Sequence, residues 1–341
     1  MTGRLSVSVV GATGYAGGEL VRLLAGHPQV EIASLHARDR DGTPLADEFP
    51  HLAPLNLAVV DGEPEPGVDV AFLTLPAGHS ASLAVRLVAR GTTVIDVGSD
   101  LRLRDATAYP TWYSFEHPEP AALADVLYGL SERARSVLPD ARLVSNPGCY
   151  PTAALLALAP LAAAGAIDGH VVVDAMSGIS GAGRNVGSDF LFTELEGGTR
   201  AYGLAGHRHL PEIVQGLCDA GLAAPSVTFV PHLVPQLRGI LATCHVSLAD
   251  DLDTARLHDL LQAAYADAPF VHVTDTPPST KHTAGTNHAF LHATRVGPRR
   301  AVVLAAIDNM GKGAAGQAIQ NMNLVHGLPE TAGLTGLAVF P

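Results

Sequence analysis

The β-branched run Leu5–Val10 stops at three glycines, Gly11, Gly14 and Gly17, spaced three residues apart. Few folds call for that arrangement. A strand that turns directly into a helix leaves the first N–H groups of the helix free, and these, with the helix macrodipole, attract an anion. Glycine permits the tight turn and lets a pyrophosphate approach the backbone. The spacing is GxxGxxG, not GxGxxG. An ordinary glycine-rich turn would share it, but its place behind the first strand points to a dinucleotide site formed by Gly11, Thr13, Gly14, Tyr15 and Gly17.

The segments that follow keep to this plan. Strand-like stretches at 30–35, 68–75, 93–97 and 143–145 alternate with helical patterns at 17–25, 79–89 and from Tyr150 onward. That alternation predicts a Rossmann-type, doubly wound parallel sheet, an α/β unit. Beyond it the pattern changes. Strand-like runs at 171–175, 227–230, 240–247, 271–273, 290–295 and 301–307 meet two clear helices, at 211–220 and 252–267. This predicts an α+β unit with a mixed sheet. An amphipathic helix is expected at 313–323. At 341 residues the chain suits two domains, with the change near 146–149.

The tip of the second strand bears on the type of dinucleotide. NAD sites often place an acid there, bonded to the ribose 2′-hydroxyl. Here the strand runs through Ser34, Leu35 and His36 into Ala37 and Arg38, with no acid. Arg38 is placed to meet a 2′-phosphate, so NADP is the expected cofactor. The alternative for Arg38 is a solvated loop charge beside Asp39 and Asp41.

Composition removes other classes. With 21 basic residues against 33 acidic ones, the net charge of −12 gives no basic footprint for nucleic acid. Lys281 and Lys312 are the only lysines, so an anionic ligand must meet local arginines. Three cysteines, odd in number and without CxxC spacing, predict neither a disulfide framework nor a metal site. The N-terminus lacks signal-peptide architecture. The longest apolar stretch, 153–167, contains Pro160 and Gly165 and falls short of the ~20 residues a bilayer demands. It reads as a buried helix. A cytoplasmic protein that does not enter the membrane is expected.

Cys149 stands apart from the other two cysteines. Pro147 and Gly148 force a turn, and a helix begins directly behind it. A thiol at a helix N-terminus is stabilised as thiolate, the nucleophilic form. Cys218, on a helix, and Cys244, in a strand, are expected as small core hydrophobes. A nucleophilic cysteine needs a proton partner, and with 16 histidines in the chain identity alone decides nothing. His207 and His209 are the best placed, ahead of a helix opened by Pro211, with Glu212 able to orient an imidazole and Arg208 able to meet an anion.

Taken in order, GATGYAGGEL (11–20), LPAGHS (75–80), DVGSDLRL (96–103), SNPGCYPT (145–152), SGISGAGR (177–184), AGHRHLPEI (205–213), FVPHLVPQLRGILAT (229–243) and DNMGKGAAGQAIQNMNL (308–324) run nearly end to end. The chain resembles the N-acetyl-gamma-glutamyl-phosphate reductases of arginine biosynthesis, in the superfamily of the aspartate-semialdehyde dehydrogenases. Two stretches depart from the family pattern. Asp-Leu-Ser-Ala-Asp-Phe-Arg is replaced at 96–102 by Asp-Val-Gly-Ser-Asp-Leu-Arg, and Tyr-Gly-Leu-Pro-Glu at 128–132 by Tyr-Gly-Leu-Ser-Glu. Neither change removes a charge.

The resemblance implies NADPH-dependent reductive dephosphorylation of N-acetyl-L-glutamyl 5-phosphate through a Cys149 thioester, with His207 or His209 managing protons. It implies Arg102 at the departing phosphate, with Arg184 and Arg208 as further candidates for the substrate's anionic groups. It also brings the loop of Ser180, Gly181 and Ala182 to the cofactor and Asn309 to the nicotinamide end. The C-terminal helix then returns to the first domain. The domains become 1–147 plus 309–341 for NADP, and 148–308 for catalysis and oligomerisation. A homodimer or homotetramer is expected. Related reductases acting on aspartyl phosphate or on carrier-linked aminoadipyl phosphate are the alternatives within enzymes. A non-catalytic dinucleotide sensor is the alternative outside them.

Overall fold

The computed structural model describes residues 3–184 and 187–340. The chain divides into two compact units, Met1–Pro147 with Ala314–Thr335, and Gly148–Gly313 with Gly336–Pro341.

In the first unit β1 (Leu5–Val10) leads into α1 (Tyr15–Leu24), β2 (Val30–His36), β3 (Thr43–Pro44), β4 (Ala58–Val60), β5 (Val70–Leu73), α2 (Ala81–Ala89), β6 (Thr93–Asp96), α3 (Tyr109–Tyr113), β7 (Leu127–Tyr128), α4 (Ser131–Ala134) and β8 (Leu143–Ser145). The sheet order is β3-β4-β2-β1-β5-β6-β8-β7, parallel except for the β3–β4 pair. Val7, Val9, Phe72, Leu73, Val94 and Ile95 have no exposure, as expected where both faces of a parallel sheet are covered. β1 pairs with β2 on one side and β5 on the other, so the strand order reverses at β1. Open α/β sheets take ligands at such a reversal, beyond the strand C-termini. The glycine loop lies there.

The second unit holds α5 (Cys149–Ala163), β9 (Ile167–Ser177), α6 (Phe192–Leu195), β10 (Arg200–Ala201), α7 (Leu210–Asp219), β11 (Ser226–Leu233), β12 (Ile240–Leu248), α8 (Thr254–Ala264), β13 (Val271–Val273), β14 (Ala289–Gly297) and β15 (Arg300–Ile307). Its sheet is mixed, in the order β10-β11-β9-β12-β15-β14-β13. One face carries Val173, Cys244, Val303 and Ala293 in a single lateral row, all buried. The opposite face carries Met176 beside Leu241, and Thr243 beside Leu304. It stays partly exposed.

α5 is buried along nearly its whole length. Pro160 lies inside it and has no N–H for the Leu156 carbonyl one turn back. The Tyr265 hydroxyl donates to that carbonyl instead, at 2.7 Å. The apolar run 153–167 is not one helix throughout. The helix ends at Ala163, Gly165 turns the chain at φ +66°, and Ile167 opens β9. Cys244 is buried in β12, but Cys218 is exposed, which corrects its expected place in the core. On α7 the buried positions include Ile213, Gly216 and Leu217. Cys218 stands one residue, or 100°, further round the helix.

The last helix, α9 (Gly316–Val325), follows a π-helical turn over Gly311–Ala315 and belongs to the first unit. The expected amphipathic character is not found. Gln317, Gln320, Asn321 and Asn323 are buried together with Ile319 and Met322. Much of the polar face is met internally, although Gln317 Oε1 is buried without a hydrogen-bond partner among the described residues. Asn321 donates to the Gly129 carbonyl at 2.8 Å and to Asn146 at 3.1 Å, and Gln317 donates to the same Gly129 carbonyl. No helix among the described residues is long and apolar enough to cross a membrane.

Candidate active site

At the glycine loop, Gly11 takes φ +87°, and a Cβ there would stand 2.6 Å from Thr74 Oγ1. Thr74 Oγ1 donates to the carbonyls of Val10 and Gly11 and so fixes the strand end. At Gly17 a Cβ would stand 2.7 Å from the Ala12 Cα. Gly14 caps α1 with no side-chain hydrogen bond to its first turn. This backbone cradle at the positive end of a helix fits a dinucleotide pyrophosphate. At the tip of β2 the His36 carbonyl accepts the N–H groups of Gly11 and Ala12, and Arg38 stands exposed beyond it.

Cys149 is half-buried and opens α5. Its turn is tied down on both sides. The Gly148 N–H donates to Glu212 Oε1 at 2.7 Å, and the Gly148 carbonyl accepts the N–H and hydroxyl of Thr152. Gly313 lies against the cysteine, where a Cβ would stand 2.8 Å from the Cys149 Cβ. Its N–H donates to the Asp308 carbonyl. The Asp308 carboxylate, wholly buried, accepts the N–H groups of Gly285, Met310 and Gly311 and faces Arg238 at 3.6 Å.

A cavity of about 290 Å³ opens on Cys149. Its wall brings in His207, Arg208 and His209 from the segment ahead of α7, Gly181 and Ala182 from the loop after β9, and Arg200, Tyr150 and Tyr202. The two phenols meet at 3.0 Å. Burial pushes the Tyr150 phenol far up, and it pushes Tyr202 up to about 12, so both stay neutral at working pH. His207 is driven down to about 4 by burial and by the neighbouring Arg208 cation, and is also neutral. Arg200 and Arg208 are both exposed and supply local positive charge in an acidic chain.

The residues picked out from sequence divide on this geometry. Cys149, His207, Arg208, His209, Gly181 and Ala182 share one cavity. Glu212 does not line it. Its carboxylate is fully buried and holds the turn ahead of Cys149. Arg102, in the first unit, is nearly buried and commits Nε to the Asn146 carbonyl and one terminal nitrogen to the Val97 carbonyl. Arg184 is exposed and outside the cavity lining. Asn309 is buried with its amide engaged at both ends. Oδ1 accepts the Gly239 N–H, and Nδ2 donates to Ser180 Oγ at 2.9 Å. It braces the 180–182 loop and does not cap a helix.

Tyr150, Tyr202, Arg200 and Gly313 were missed as site residues. Tyr150 and Gly313 lie inside the quoted motifs, and the aromatic directly beside Cys149 was the available signal for Tyr150; Tyr202 lies three residues ahead of AGHRHLPEI. Arg200 carries none. Among the described residues, no group of three His, Cys, Asp or Glu is placed to hold a metal ion.

Comparison with known proteins agrees with this architecture. The family model for the semialdehyde dehydrogenase NAD binding domain matches residues 6–141, and that for the semialdehyde dehydrogenase dimerisation domain matches 149–309. The N-acetyl-gamma-glutamyl-phosphate reductase of Dehalococcoides mccartyi is 44% identical over 340 residues, covering 99% of each chain. That of Halorhodospira halophila is 48% identical over 345 residues, covering 99% of this chain and 100% of the relative. In fold the chain is similar to aspartate semialdehyde dehydrogenase II of Vibrio cholerae, with TM-score 0.72, 17% identity and coverage of 95% and 98%. It is also similar to the Candida albicans aspartate semialdehyde dehydrogenase solved with NADP, with TM-score 0.68, 16% identity and coverage of 94% and 98%. With near-complete coverage at this identity, and with the motif order already pointing the same way, the chain belongs to the N-acetyl-gamma-glutamyl-phosphate reductase family.

Proposed function

We propose that the chain catalyses the NADPH-dependent reductive dephosphorylation of N-acetyl-L-glutamyl 5-phosphate to N-acetyl-L-glutamate 5-semialdehyde and phosphate, a step of arginine biosynthesis. The observation that carries this reading is Cys149 at the start of α5, in a cavity that also holds His207, Arg208 and His209.

Cys149 Sγ attacks the acyl carbon, a C–S bond forms, and the bond from carbon to the phosphate oxygen breaks with release of phosphate. The thioester keeps the carbonyl electrophilic where a free carboxylate would not, and one hard step becomes two easier ones. Arg200 and Arg208 give the anionic substrate its local attraction, since guanidinium groups suit phosphate and carboxylate alike. A histidine of the pair receives and returns the proton at sulfur. Glu212 and Gly313 hold the thiol in place without touching substrate. Gly11, Thr13, Gly14, Tyr15 and Gly17 would hold the cofactor pyrophosphate, with Arg38 toward the 2′-phosphate. NADPH, when bound, supplies the hydride.

The cofactor-binding domain is assigned to residues 1–147 with the returning C-terminal segment, and catalysis and assembly to the domain that begins at Gly148. The partly exposed face of the second sheet is assigned as the surface of a homodimer or homotetramer, in keeping with a match to a dimerisation domain. Three cysteines that form no disulfide suit a reducing, cytoplasmic setting.

A substrate panel in the oxidative direction tests the activity. Phosphate-dependent reduction of NADP is expected with N-acetylglutamate semialdehyde and not with aspartate semialdehyde, and Cys149→Ser abolishes it. Turnover of aspartate semialdehyde alone would move the chain to the related reductases. Arg38→Ala should raise the KM for NADPH and leave that for NADH unchanged.

A further inference from the structure

One buried carboxylate organises the turn that lies against Cys149. Asp308 directly follows β15 and has no exposure. Its Oδ1 accepts the N–H groups of Met310 at 2.7 Å and Gly311 at 3.0 Å, and its Oδ2 accepts the N–H of Gly285. Arg238 Nε stands 3.6 Å from Oδ1 and offsets the charge. A carboxylate taken out of water is costly unless its oxygens are met in this way.

The same residue acts through its backbone. The Asp308 carbonyl accepts the Gly313 N–H at 2.8 Å, so carboxylate and carbonyl together fold the stretch 308–313. A Cβ on Gly311 would run into the Thr286 carbonyl, which seats the turn on that backbone. Gly313 is thereby delivered against Cys149, where a Cβ would stand 2.8 Å from the Cys149 Cβ and 3.3 Å from its Cα. Backbone packed on a Cβ closes one of the three staggered positions open to Sγ. Cys149 lines the cavity, and Asp308 does not.

We propose that Asp308 is a positioning residue for the reaction: it folds 308–313 so that Gly313 confines the Cys149 side chain at the first turn of α5. There the free N–H groups of the helix favour the thiolate. This rests on the thioester reading above. Without the carboxylate the turn loosens and Sγ leaves the helix start, and a displacement of about 1 Å can cost 10²-fold in rate.

Two variants separate position from charge. Asp308→Ala removes both the charge and the acceptors, whereas Asp308→Asn removes the charge and keeps an acceptor for Met310 and Gly311. Alkylation of Cys149 by iodoacetamide, followed against pH by mass spectrometry of its peptide, needs no substrate. The exposed Cys218 serves as internal reference. Loss of a nearby negative charge alone would ease ionisation of the thiol and move the profile down in both variants. Loss of position should move it up in Asp308→Ala by about one unit, toward the ~8.5 of an unperturbed thiol, and leave Asp308→Asn near the wild type. The other charged or titratable groups at the cavity, His207, His209, Arg200, Arg208 and the two phenols, are the same in every variant, as is Glu212 at the Gly148 N–H. In turnover Asp308→Ala should lose about 10²-fold in kcat with little change in KM, and Asp308→Asn should recover most of that loss. A wild-type profile centred at the unperturbed value removes the thioester reading and this proposal with it. A lowered wild-type profile that stays in place or moves down in Asp308→Ala overturns this proposal alone. Should Asp308→Ala not fold, Gly313→Ala displaces Cys149 with no change of charge and should move the profile up; an unmoved profile there overturns the proposal.

Discussion

A methyl group on residue 313 would stand 2.8 Å from the Cys149 Cβ, so Cys149 sits where it does partly because its neighbour has no side chain. Glu212 acts from the other side, through the Gly148 N–H. Neither residue touches the cavity, which is why sequence reading placed Glu212 at an imidazole or a substrate and overlooked Gly313. The place of Cys149 at the start of α5 was legible because a Pro-Gly turn and a helix start are local signals. Arg200 was not legible. It reaches the cavity through the pairing of β10 with Leu233 on β11, a contact set by tertiary structure.

The depressed pKa of His207 has a consequence for stability. Its native value is about 4, and an unfolded histidine titrates near its ordinary value of 6.5. Between these limits the unfolded chain binds the proton and the native one does not, so stability falls as pH drops. The loss is complete below pH 4 and is on the order of 3 kcal/mol at 1.36 kcal/mol per pKa unit. Urea unfolding at pH 7.5 and pH 5 should show a smaller loss in His207→Gln than in the wild type. Other buried histidines act in the same direction, so the difference between the two proteins is the quantity to read.

Among the elements, α5 shows how a helix tolerates an internal proline. Pro160 removes one donor, and Tyr265, at the C-terminal end of α8, replaces it. Tyr265→Phe should leave the buried Leu156 carbonyl without this donor and cost about 1–3 kcal/mol. In a Pro160→Ala background the helix supplies its own N–H, and the same change should cost less than about 1 kcal/mol. A double-mutant cycle by urea unfolding measures the difference, and equal costs in both backgrounds would refute the exchange.

The long strands of both sheets were legible from their periodicity. The two-residue strands β3, β7 and β10 were not, because so few residues carry no period. α9 was legible as a helix and misread in its surroundings. Its Gln and Asn residues look like a solvent face until Gly129, Ser131 and Asn146 are seen to meet them.

For the whole molecule, the open face of the second sheet carries the assembly prediction. Leu304 lies on that face, partly exposed, between Thr243 of β12 and His292 of β14. Light scattering should give the wild-type protein a mass at least twice that of one chain, and Leu304→Arg should bring it down to a monomer with unchanged far-UV circular dichroism. A monomeric wild type would remove the assigned interface.

The division of the chain also bears on its synthesis. The first unit is opened by β1 and closed by α9, which belongs to the stretch Ala314–Thr335. At roughly 5–20 residues per second, a ribosome takes about ten to thirty seconds to add the ~170 residues between them. During that time the sheet that begins at the N-terminus lacks the polar helix that satisfies the Gly129 carbonyl and Asn146, while the second unit, continuous from Gly148 to Gly313, is already emerging. The sheet of the first unit therefore waits for a helix that is made only after the whole of Gly148–Gly313.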